Sequence, residues 1–435
     1  MFFINGRSHT HQFSFHPIPS HVIYNLLHPW HLIPANYKKL HKAARDITTI
    51  NQLVTLAYAV GGAFTTVYLW KETNDVSTIV KYNLVQYPTI LLCYVISGLI
   101  LKKIQFKHLI QIGVLFYILN YLLLIFLGRS VNEFILLVGL VQGLGAGFYW
   151  SGYAPFTYKT TKDTNRDLFN ALNSSIGSFI SVFIPPMVGF LLSMNLADKE
   201  ISFSYYLSFF VTIIVLLVSF FYSGRLLDYG VERLNLREIF SPLKIKAWKY
   251  VGLRDLVDGF HGGTDQFLGT LLVFFVLQRE ISMGIFNSFF SVLSILVTLK
   301  IGQSLIRKNR LKVGFIGAVF LTLGRLIYIY MFSFLGTVVS SVVGLIAGPL
   351  YGIGLASTFF DVLDHSPDHE KAYFAYITLR EVFLAAGRTF GALMFLLFIN
   401  NVENKLAVAK YWFLLLGFTP LIYFYLTGRF EKLLR

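Results

Sequence analysis

The chain has 435 residues, of which 55% are hydrophobic, 17% aromatic and only 14% charged. Soluble domains carry about 25% charged residues, so this composition and a mean hydropathy of +0.62 predict a chain embedded in lipid. The single cysteine, Cys93, excludes a disulfide framework and a cysteine-based metal cluster. The net charge of +15 does not indicate nucleic acid, because basic residues collect in the cytoplasmic loops of membrane proteins.

Residues 1–49 form a histidine-rich segment with no apolar core of a signal peptide. We expect a cytoplasmic N-terminal extension; a start codon further downstream is the alternative. Irregular spacing of the histidines predicts no metal site. The histidines of this segment are His9, His11, His16, His21, His28, His31 and His41.

Twelve continuously apolar segments follow, each close to the 20 or so residues that cross about 30 Å of hydrocarbon. They lack the alternation of a lipid-facing strand, so an all-α polytopic membrane protein is predicted. The predicted spans are 50–70, 82–101, 109–128, 134–157, 171–193, 203–223, 251–277, 284–305, 313–333, 336–360, 377–399 and 411–427.

The distribution of lysine and arginine predicts the orientation. If both termini are cytoplasmic, most of the 37 basic residues fall in inner segments, as the positive-inside rule requires. The longest internal loop, 224–250, is then also inner. It is basic and amphipathic, and we expect it to lie along the membrane surface. Residues 431–435 form a cytoplasmic tail, and the cell membrane is the predicted location.

An internal repeat divides the spans into two halves. Val138–Gly143 in the fourth span matches Val343–Gly348 in the tenth, 205 residues later, and Ile112-Gly113 matches Ile316-Gly317 at 204. Because each half crosses the membrane six times, an even number, both halves have the same orientation in the membrane. The sequence therefore predicts two pseudosymmetric six-helix bundles, 50–223 and 251–430, in the parallel arrangement of large transporters.

The fourth span carries the best local motif. Gln142-Gly143-Leu144-Gly145-Ala146 resembles the Gln-Gly-x-Gly-Ala element of the major facilitator superfamily, although Gly139 stands where the family often has an arginine linked to proton coupling. Pro185-Pro186-Met187-Val188-Gly189 is similar to the element typical of the family's antiporters. The resemblance covers residues 50–430. It implies a monomeric transporter of a small or amphipathic substrate that needs no cofactor, and the antiporter-like element favours efflux as the direction of transport.

Glycines recur every four residues on one face of the fourth and tenth spans. Small residues at this spacing let helices approach closely, so we predict tight helix packing, static or moving, at both places. The two triplets are Gly139, Gly143 and Gly147, and Gly344, Gly348 and Gly352.

Ionisable residues inside a bilayer cost about 3 kcal/mol each at its centre and so need a reason. In the seventh span Asp258, His261 and Asp265 share one helix face, a pattern that suits a proton relay or a cation site. The alternatives are solvation near the inner interface for Asp258 and His261 and a structural pair with an arginine for Asp265. Gly262-Gly263 predicts a weakened helix between them.

The eleventh span carries Arg388 near its middle, with Glu381 on the same face. The family resemblance implies that Arg388 and Asp265 face one cavity, where an arginine fork pairs well with an anionic group. Arg325 in the ninth span is expected to have a structural partner. Polar and aromatic residues in the first and fourth spans are candidate cavity walls or simple packing: Asn51, Gln52, Tyr58, Gln142, Tyr149 and Trp150.

These features favour a secondary transporter working by alternating access, with proton coupling through Asp265 and His261. No Walker-type phosphate loop is present in the sequence. The alternatives are a lipid or glycolipid flippase of the same fold and a non-transporting receptor or scaffold. A membrane enzyme would need the loop Asp361, Asp364, His365, Asp368 and His369, which we interpret as a solvated acidic loop.

Overall fold

The computed structural model describes residues 40–101, 104–161, 163–194, 202–227, 239–304, 310–364, 366 and 369–434. Every regular element in these ranges is a helix, and 12 of the helices are long and apolar enough to cross a membrane. The prediction of an all-α protein with twelve spans is therefore confirmed. The first half of the fold is α1–α6 and the second half is α7–α12.

The twelve helices are α1 Lys42–Thr73, α2 Val76–Ile100, α3 Phe106–Leu127, α4 Ile135–Thr160, α5 Asp163–Ser193, α6 Ser202–Ser223, α7 Lys246–Leu277, α8 Glu280–Ser304, α9 Arg310–Tyr330, α10 Phe334–Asp364, α11 His369–Asn401 and α12, which runs as Lys405–Leu416 and Thr419–Leu434.

Several helices extend beyond their apolar cores by one or two polar turns. α1 begins at Lys42, where the His41 side chain accepts a hydrogen bond from the backbone amide of Ala43. α7 begins at Lys246, inside the predicted linker 224–250. Residues 228–238 of that linker and histidines 9–31 lie outside the described residues.

Two helices are irregular, and neither irregularity is where the sequence predicts one. Residues Tyr58–Gly62 of α1 form a π-turn, and α12 is interrupted between Leu416 and Thr419. α7 is continuous through Gly262 and Gly263, so the helix is not broken there, and the weakening expected from the two glycines stays a prediction.

The two halves repeat one helix contact closely. In the first half, a Cβ at Gly113 of α3 would lie 2.4 Å from the backbone nitrogen of Tyr149 in α4. In the second half, a Cβ at Gly317 of α9 would lie 2.7 Å from the backbone nitrogen of Tyr351 in α10. Only glycine permits so close an approach, so the same residue type fixes the same helix pair in both halves.

The halves meet along two pairs of helices, α2 with α11 and α5 with α8. An even number of crossings brings residues 40 and 434 to one face of the bundle, which we call the terminal face; the other is the opposite face. Between the halves lies a space bounded by α1, α2, α4, α7 and α11.

Candidate functional site

A cavity of about 1120 Å³ lies between the halves. Its volume is slightly above the roughly 300–1000 Å³ typical of small-molecule sites. Aromatic side chains from both halves supply much of its wall. These are Tyr58, Tyr87, Tyr94, Tyr117, Tyr121, Tyr149, Trp150, Tyr373 and Tyr423.

The polar groups of the cavity are divided unequally between the two halves. The charged lining residues all come from the second half: Arg254, Asp265, Arg380, Glu381 and Arg388. The first half contributes neutral amides instead: Asn83, Gln86 and Gln142. One wall is therefore ionic, and the facing wall offers hydrogen bonds and aromatic surface.

Asp265 is held by two partners in the second half. One carboxylate oxygen, Oδ1, lies 2.7 Å from Nη1 of Arg325 in α9, and the other, Oδ2, lies 3.3 Å from Nε2 of His261 one turn earlier in α7. The Arg325 guanidinium also lies over the Phe413 ring, 4.5 Å from its centroid. The sequence predicts an arginine partner for Asp265 and a structural partner for Arg325. In the structure, Asp265 and Arg325 are partners of one another.

The surroundings of His261 indicate which ring nitrogen carries the proton. The Thr419 hydroxyl donates to the Leu416 carbonyl at 2.7 Å, so its oxygen acts as an acceptor towards Nδ1 of His261, 2.6 Å away. The Leu416 carbonyl, a second acceptor, is 3.1 Å from Nδ1. At the other side of the ring, Nη2 of Arg325 is a donor 3.3 Å from Nε2. Hydrogen bonding therefore assigns a proton to Nδ1. Nε2 lies between this donor and an acceptor, Oδ2 of Asp265 at 3.3 Å, so the same surroundings accommodate a bare Nε2 that accepts from Arg325 and a protonated Nε2 that donates to Asp265.

Arg388 and Glu381 form a second ion pair, within α11. Nη1 of Arg388 donates to Oε1 of Glu381 at 2.7 Å. Both side chains line the cavity. The arginine side chain is 27% exposed and the glutamate 10%, so the cation is the more accessible member of the pair. Arg388 and Asp265 both line the cavity, as the resemblance implies.

A third charged group, near the terminal face, was missed from the sequence. Arg254 and Asp255 are both buried, and the guanidinium donates to Oδ1 of Asp255 through Nε at 3.1 Å and Nη2 at 2.7 Å. Arg380 of α11 lies 4.0 Å from the other carboxylate oxygen. The sequence feature that could have identified this group is a pair of adjacent, oppositely charged residues inside an apolar span. The predicted Asp258 is half-buried and is not among the cavity-lining residues.

Asn51 and Gln52 lie in an amide cluster rather than on the cavity wall. Nδ2 of Asn51 donates to Oδ1 of Asn173 at 3.3 Å, and Nε2 of Gln52 donates to the same oxygen at 2.9 Å. The Tyr149 hydroxyl donates to Oδ1 of Asn51 at 3.1 Å. This network ties α1, α4 and α5 together.

The other candidates from the first half do line the cavity. Tyr58 and Trp150 are 49% and 44% exposed there. The Tyr58 hydroxyl accepts a hydrogen bond from Nε2 of Gln266 at 2.8 Å, which links α1 to α7 across the two halves. Oε1 of Gln142 has no hydrogen-bonding partner among the described residues.

The two glycine triplets differ. A Cβ at Gly139, Gly143 or Gly147 would lie 2.4–2.8 Å from atoms of α2, so these residues pack tightly. A Cβ at Gly344 or Gly348 would meet nothing within 4 Å. The predicted tight packing is therefore wrong for these two, and the side-chain position of Gly352 lies outside the described residues.

Polar contacts between the halves close the cavity at the opposite face. Lys71 of α1 pairs with Glu280 of α8, which also accepts a hydrogen bond from the Tyr205 hydroxyl of α6 at 2.8 Å. Lys405 lies 3.1 Å from Asp75. Opposite charges at the ends of two spans are the one feature of the sequence that points to the Lys71–Glu280 pair.

Close backbone packing and side-chain hydrogen bonds reinforce this closure. The Ser77 hydroxyl donates to Oδ1 of Asn400 at 2.7 Å. A Cβ at Gly284 of α8 would lie 2.4 Å from the Pro185 carbonyl, and one at Gly189 of α5 would lie 2.6 Å from the Glu280 carbonyl. The antiporter-like segment 185–189 thus lies directly against α8.

The acidic loop considered for an enzyme is mostly undescribed. His365 and Asp368 lie outside the described residues, as do the side chains of Asp361, Asp364 and His369. Among the described residues there is no group of three or more histidine, cysteine or acidic side chains able to hold a metal ion.

Comparison with known proteins places this chain among transporters. The profile of the Major Facilitator Superfamily matches residues 53–392. A relative in Bacillus subtilis strain 168, the uncharacterized protein YqgE, is 27% identical over 397 residues, covering 90% of this chain and 91% of the relative.

Solved structures share the fold at low sequence identity. The nucleoside transporter NupG is 12% identical, with a TM-score of 0.65 over 90% of this chain and 100% of its own. A bacterial homologue of the human drug peptide transporters PepT1 and PepT2 is 14% identical, with a TM-score of 0.63 over 90% of this chain and 98% of its own.

Proposed function

Because the chain belongs to the Major Facilitator Superfamily, we propose that it is a proton-coupled secondary transporter that carries a small organic molecule by alternating access. The family and the transporter structures of the same fold identify it as a multi-pass membrane transporter and not an enzyme. Its substrate, direction and coupling ion are the subject of the proposal.

One observation carries it: a cavity at mid-depth between two six-helix halves, closed by polar contacts at one face. A substrate in such a cavity reaches the other side only if those contacts open. At the terminal face the described contact between the halves is a ring stack, Tyr158 on Tyr373, with centroids 3.8 Å apart. We assign the terminal face to the cytoplasm from the positive-inside rule, so that the face closed by polar contacts is the outer one.

The proton site we propose is Nε2 of His261. In the neutral ring this nitrogen accepts from Arg325, which also pairs with Asp265. A bound proton turns Nε2 into a donor directed at Oδ2 of Asp265, 3.3 Å away, and the imidazolium repels Arg325. The groups facing the ring are Asp265 of α7, Arg325 of α9 and, from α12, the Thr419 hydroxyl and the Leu416 carbonyl. Protonation therefore exchanges one partner of Asp265 for another and alters the contact between α7 and α9.

The direction we propose is efflux in exchange for protons. The segment 185–189 supports it, because it resembles the antiporter element and packs against α8 at the closed face.

Proteoliposomes containing the dye pyranine test the coupling. Nucleosides, dipeptides and aromatic carboxylates are added in turn under an imposed pH gradient, and internal pH is followed. We expect at least one class to change the proton flux, and Asp265→Asn and His261→Asn to abolish that change. Glu403→Gln, an exposed acid at the opposite face, is the matched control. Full coupled transport by Asp265→Asn would refute proton coupling at this site.

A further inference from the structure

Two stripes of side chains face each other across the cavity, one on α4 and one on α11. Trp150 and Gln142 lie on the α4 stripe, and Arg380 and Arg388 on the α11 stripe. The stacked rings of Tyr158 and Tyr373, 3.8 Å apart, provide a common level from which depth along both helices can be compared.

Depth from this level follows from the helical rise of about 1.5 Å per residue. Trp150 is about 12 Å and Arg380 about 10 Å from the stack, towards the opposite face. Gln142 and Arg388 are about 24 Å and 22 Å from it. The cavity therefore has two levels. The level nearer the terminal face, here called the outer level, has Trp150 facing Arg380. The level deeper in the cavity, here called the inner level, has Gln142 facing Arg388.

The outer level joins an aromatic face to a cation. Trp150 is 44% exposed, and its ring is fixed edge-on by Tyr149 and Tyr153, with centroids 5.4 and 5.3 Å away. Arg380 is 41% exposed on the facing wall. A flat ring stacked on Trp150 would lie within reach of a guanidinium, which favours π-systems.

The inner level offers hydrogen-bond donors. The Arg388 guanidinium has five N–H groups in a planar fork, and the hydrogen bond described for it, to Glu381, uses one of them. The amide of Gln142 lies at the same depth; its Nε2 is a donor, whereas its carbonyl oxygen, which has no partner among the described residues, only accepts. A carboxylate or phosphate here would receive charge-assisted hydrogen bonds from the fork and a further bond from Nε2 of the amide, and a hydroxyl or N–H group of the same ligand would donate to the amide oxygen.

The acids of the same wall are less available to a cation. Glu381 is 10% exposed, less than the 27% of Arg388, and Asp265 is paired with Arg325. A cationic ligand would have to separate one of these acids from its arginine, which would leave a buried charge without a partner.

We propose that the substrate is an amphipathic organic anion with a flat aromatic body, whose anionic group binds Arg388 and Gln142 while its ring stacks on Trp150. This assignment rests on the proposed transport function, because it takes the cavity to be the substrate site. A carboxylate and a phosphate ester satisfy the same donors.

The test is isothermal titration calorimetry on the purified full-length protein in detergent. Three ligands share one ring system and a six-carbon chain long enough to span the roughly 12 Å between the two levels, and they differ in charge: 6-(2-naphthyl)hexanoate, 6-(2-naphthyl)hexanamide and 6-(2-naphthyl)hexylammonium. The corresponding 6-(2-naphthyl)hexyl phosphate serves as a fourth ligand to separate carboxylate from phosphate preference. We expect one of the two anions to bind at least tenfold more tightly than the neutral and cationic ligands.

Variants assign the binding to named residues. Arg388→Gln should weaken anion binding by about tenfold to a hundredfold, the range for hydrogen bonds to charged groups. Arg388→Lys keeps the charge but loses the fork and should give a smaller loss. Trp150→Ala should weaken all four ligands. Arg429→Gln, an arginine bonded to Tyr425 outside the cavity, is the matched control and should bind as the unmodified chain does.

The proposal is overturned if the cation or the neutral ligand binds as tightly as the anions, if none of the four binds, or if Arg388→Gln and Arg388→Lys both bind anions normally. Failure here is distinct from failure of the transport function. A protein that alternates between inward and outward conformations but prefers the cation refutes only the substrate class.

Discussion

Buried charges in the second half are matched in pairs, and this matching explains how they remain in an apolar environment. Asp265 pairs with Arg325, Glu381 with Arg388, and Asp255 with Arg254. Each pair removes the large cost of an isolated charge, although a hydrophobic pair of similar size would often be equally stable. A gain in stability alone therefore does not explain these pairs.

Removing one member of the Asp265–Arg325 pair should be costly. We expect Arg325→Met to lower the free energy of unfolding by about 3–5 kcal/mol, because an uncompensated carboxylate remains in the interior. The double variant Asp265→Asn/Arg325→Met should recover much of this loss. Thermal unfolding in detergent measures both, with Arg429→Met as the control. Equal destabilisation of the single and double variants would show that the charge pair is not the cause.

For individual residues, the sequence predicted the positions of the charged side chains in their helices better than it predicted which residues they pair with. The 3.6-residue period placed Asp265 and Arg388 on the cavity side, whereas His261 is not among the cavity-lining residues and contacts α9 and α12 instead. Helix periodicity cannot show which neighbouring helix crosses at that depth, so the partnership of Asp265 with Arg325 was only one of two alternatives. The Asp255–Arg254 pair was missed because both residues lie where interfacial solvation was the simpler explanation.

Helix packing explains why the two glycine triplets differ. The contacts of Gly113 and Gly317 make Tyr149 equivalent to Tyr351, an offset of 202 residues. The sequence alignment of the fourth and tenth spans used an offset of 205 residues. With the structural offset, the positions equivalent to Gly139 and Gly143 are Ser341 and Leu345. Apolar sequences match well in several registers, so the alignment alone could not detect the three-residue error.

A pair of identical substitutions tests this difference. A methyl group at Gly139 would lie 2.4 Å from the Tyr82 carbonyl, so Gly139→Ala should destabilise the protein by about 1–3 kcal/mol through overpacking. Gly348→Ala fills open space in a helix and should be neutral or stabilising by up to about 1 kcal/mol. Thermal unfolding midpoints compare them. A larger loss for Gly348→Ala than for Gly139→Ala would contradict the structural register.

The ends of α2 and α12 meet in a pair outside the membrane that depends on pH. Burial raises the pKa of Asp75, but hydrogen bonds from Lys405 and from the Ser77 amide outweigh it and hold the pKa below its ordinary value. A lowered pKa means that the pair stabilises the fold above the ordinary pKa of aspartate and loses this effect as the pH falls through the folded value.

Lys405→Gln should therefore lower stability at pH 7 by about 0.2–1 kcal/mol, the range for exposed pairs. The difference from the unmodified chain should shrink as the pH is lowered from 5 to 3. Thermal midpoints measured over this range check it. A difference that stays constant would mean that Lys405 acts through packing rather than through its charge.

On the scale of the whole molecule, the twelve spans, the repeat and the family followed from composition, periodicity and motifs. The conformation did not, because a transporter's inward and outward states share one sequence and differ only in which contacts are made. The closed opposite face depends on Lys71, Glu280 and Tyr205, which lie far apart in the chain. Charge is also unequal between the halves: a neutral, aromatic first half faces an ionic second half across the cavity.

Distances across both faces test the central claim of alternating access most directly. Cys93 is the single cysteine, so a Cys93→Ala background accepts spin labels in pairs. Glu133→Cys with Glu403→Cys reports on the opposite face, and His108→Cys with Lys249→Cys on the terminal face; all four positions are exposed. Double electron–electron resonance is then recorded in lipid nanodiscs with and without Glu280→Gln, which removes the Lys71 ion pair.

Loss of about 1–3 kcal/mol at the closed face would shift the conformational equilibrium by roughly 5-fold to 150-fold. We predict that Glu280→Gln lengthens the distance across the opposite face and shortens the distance across the terminal face. Distances that stay unchanged at both faces, or that lengthen at both, would contradict alternating access in this protein.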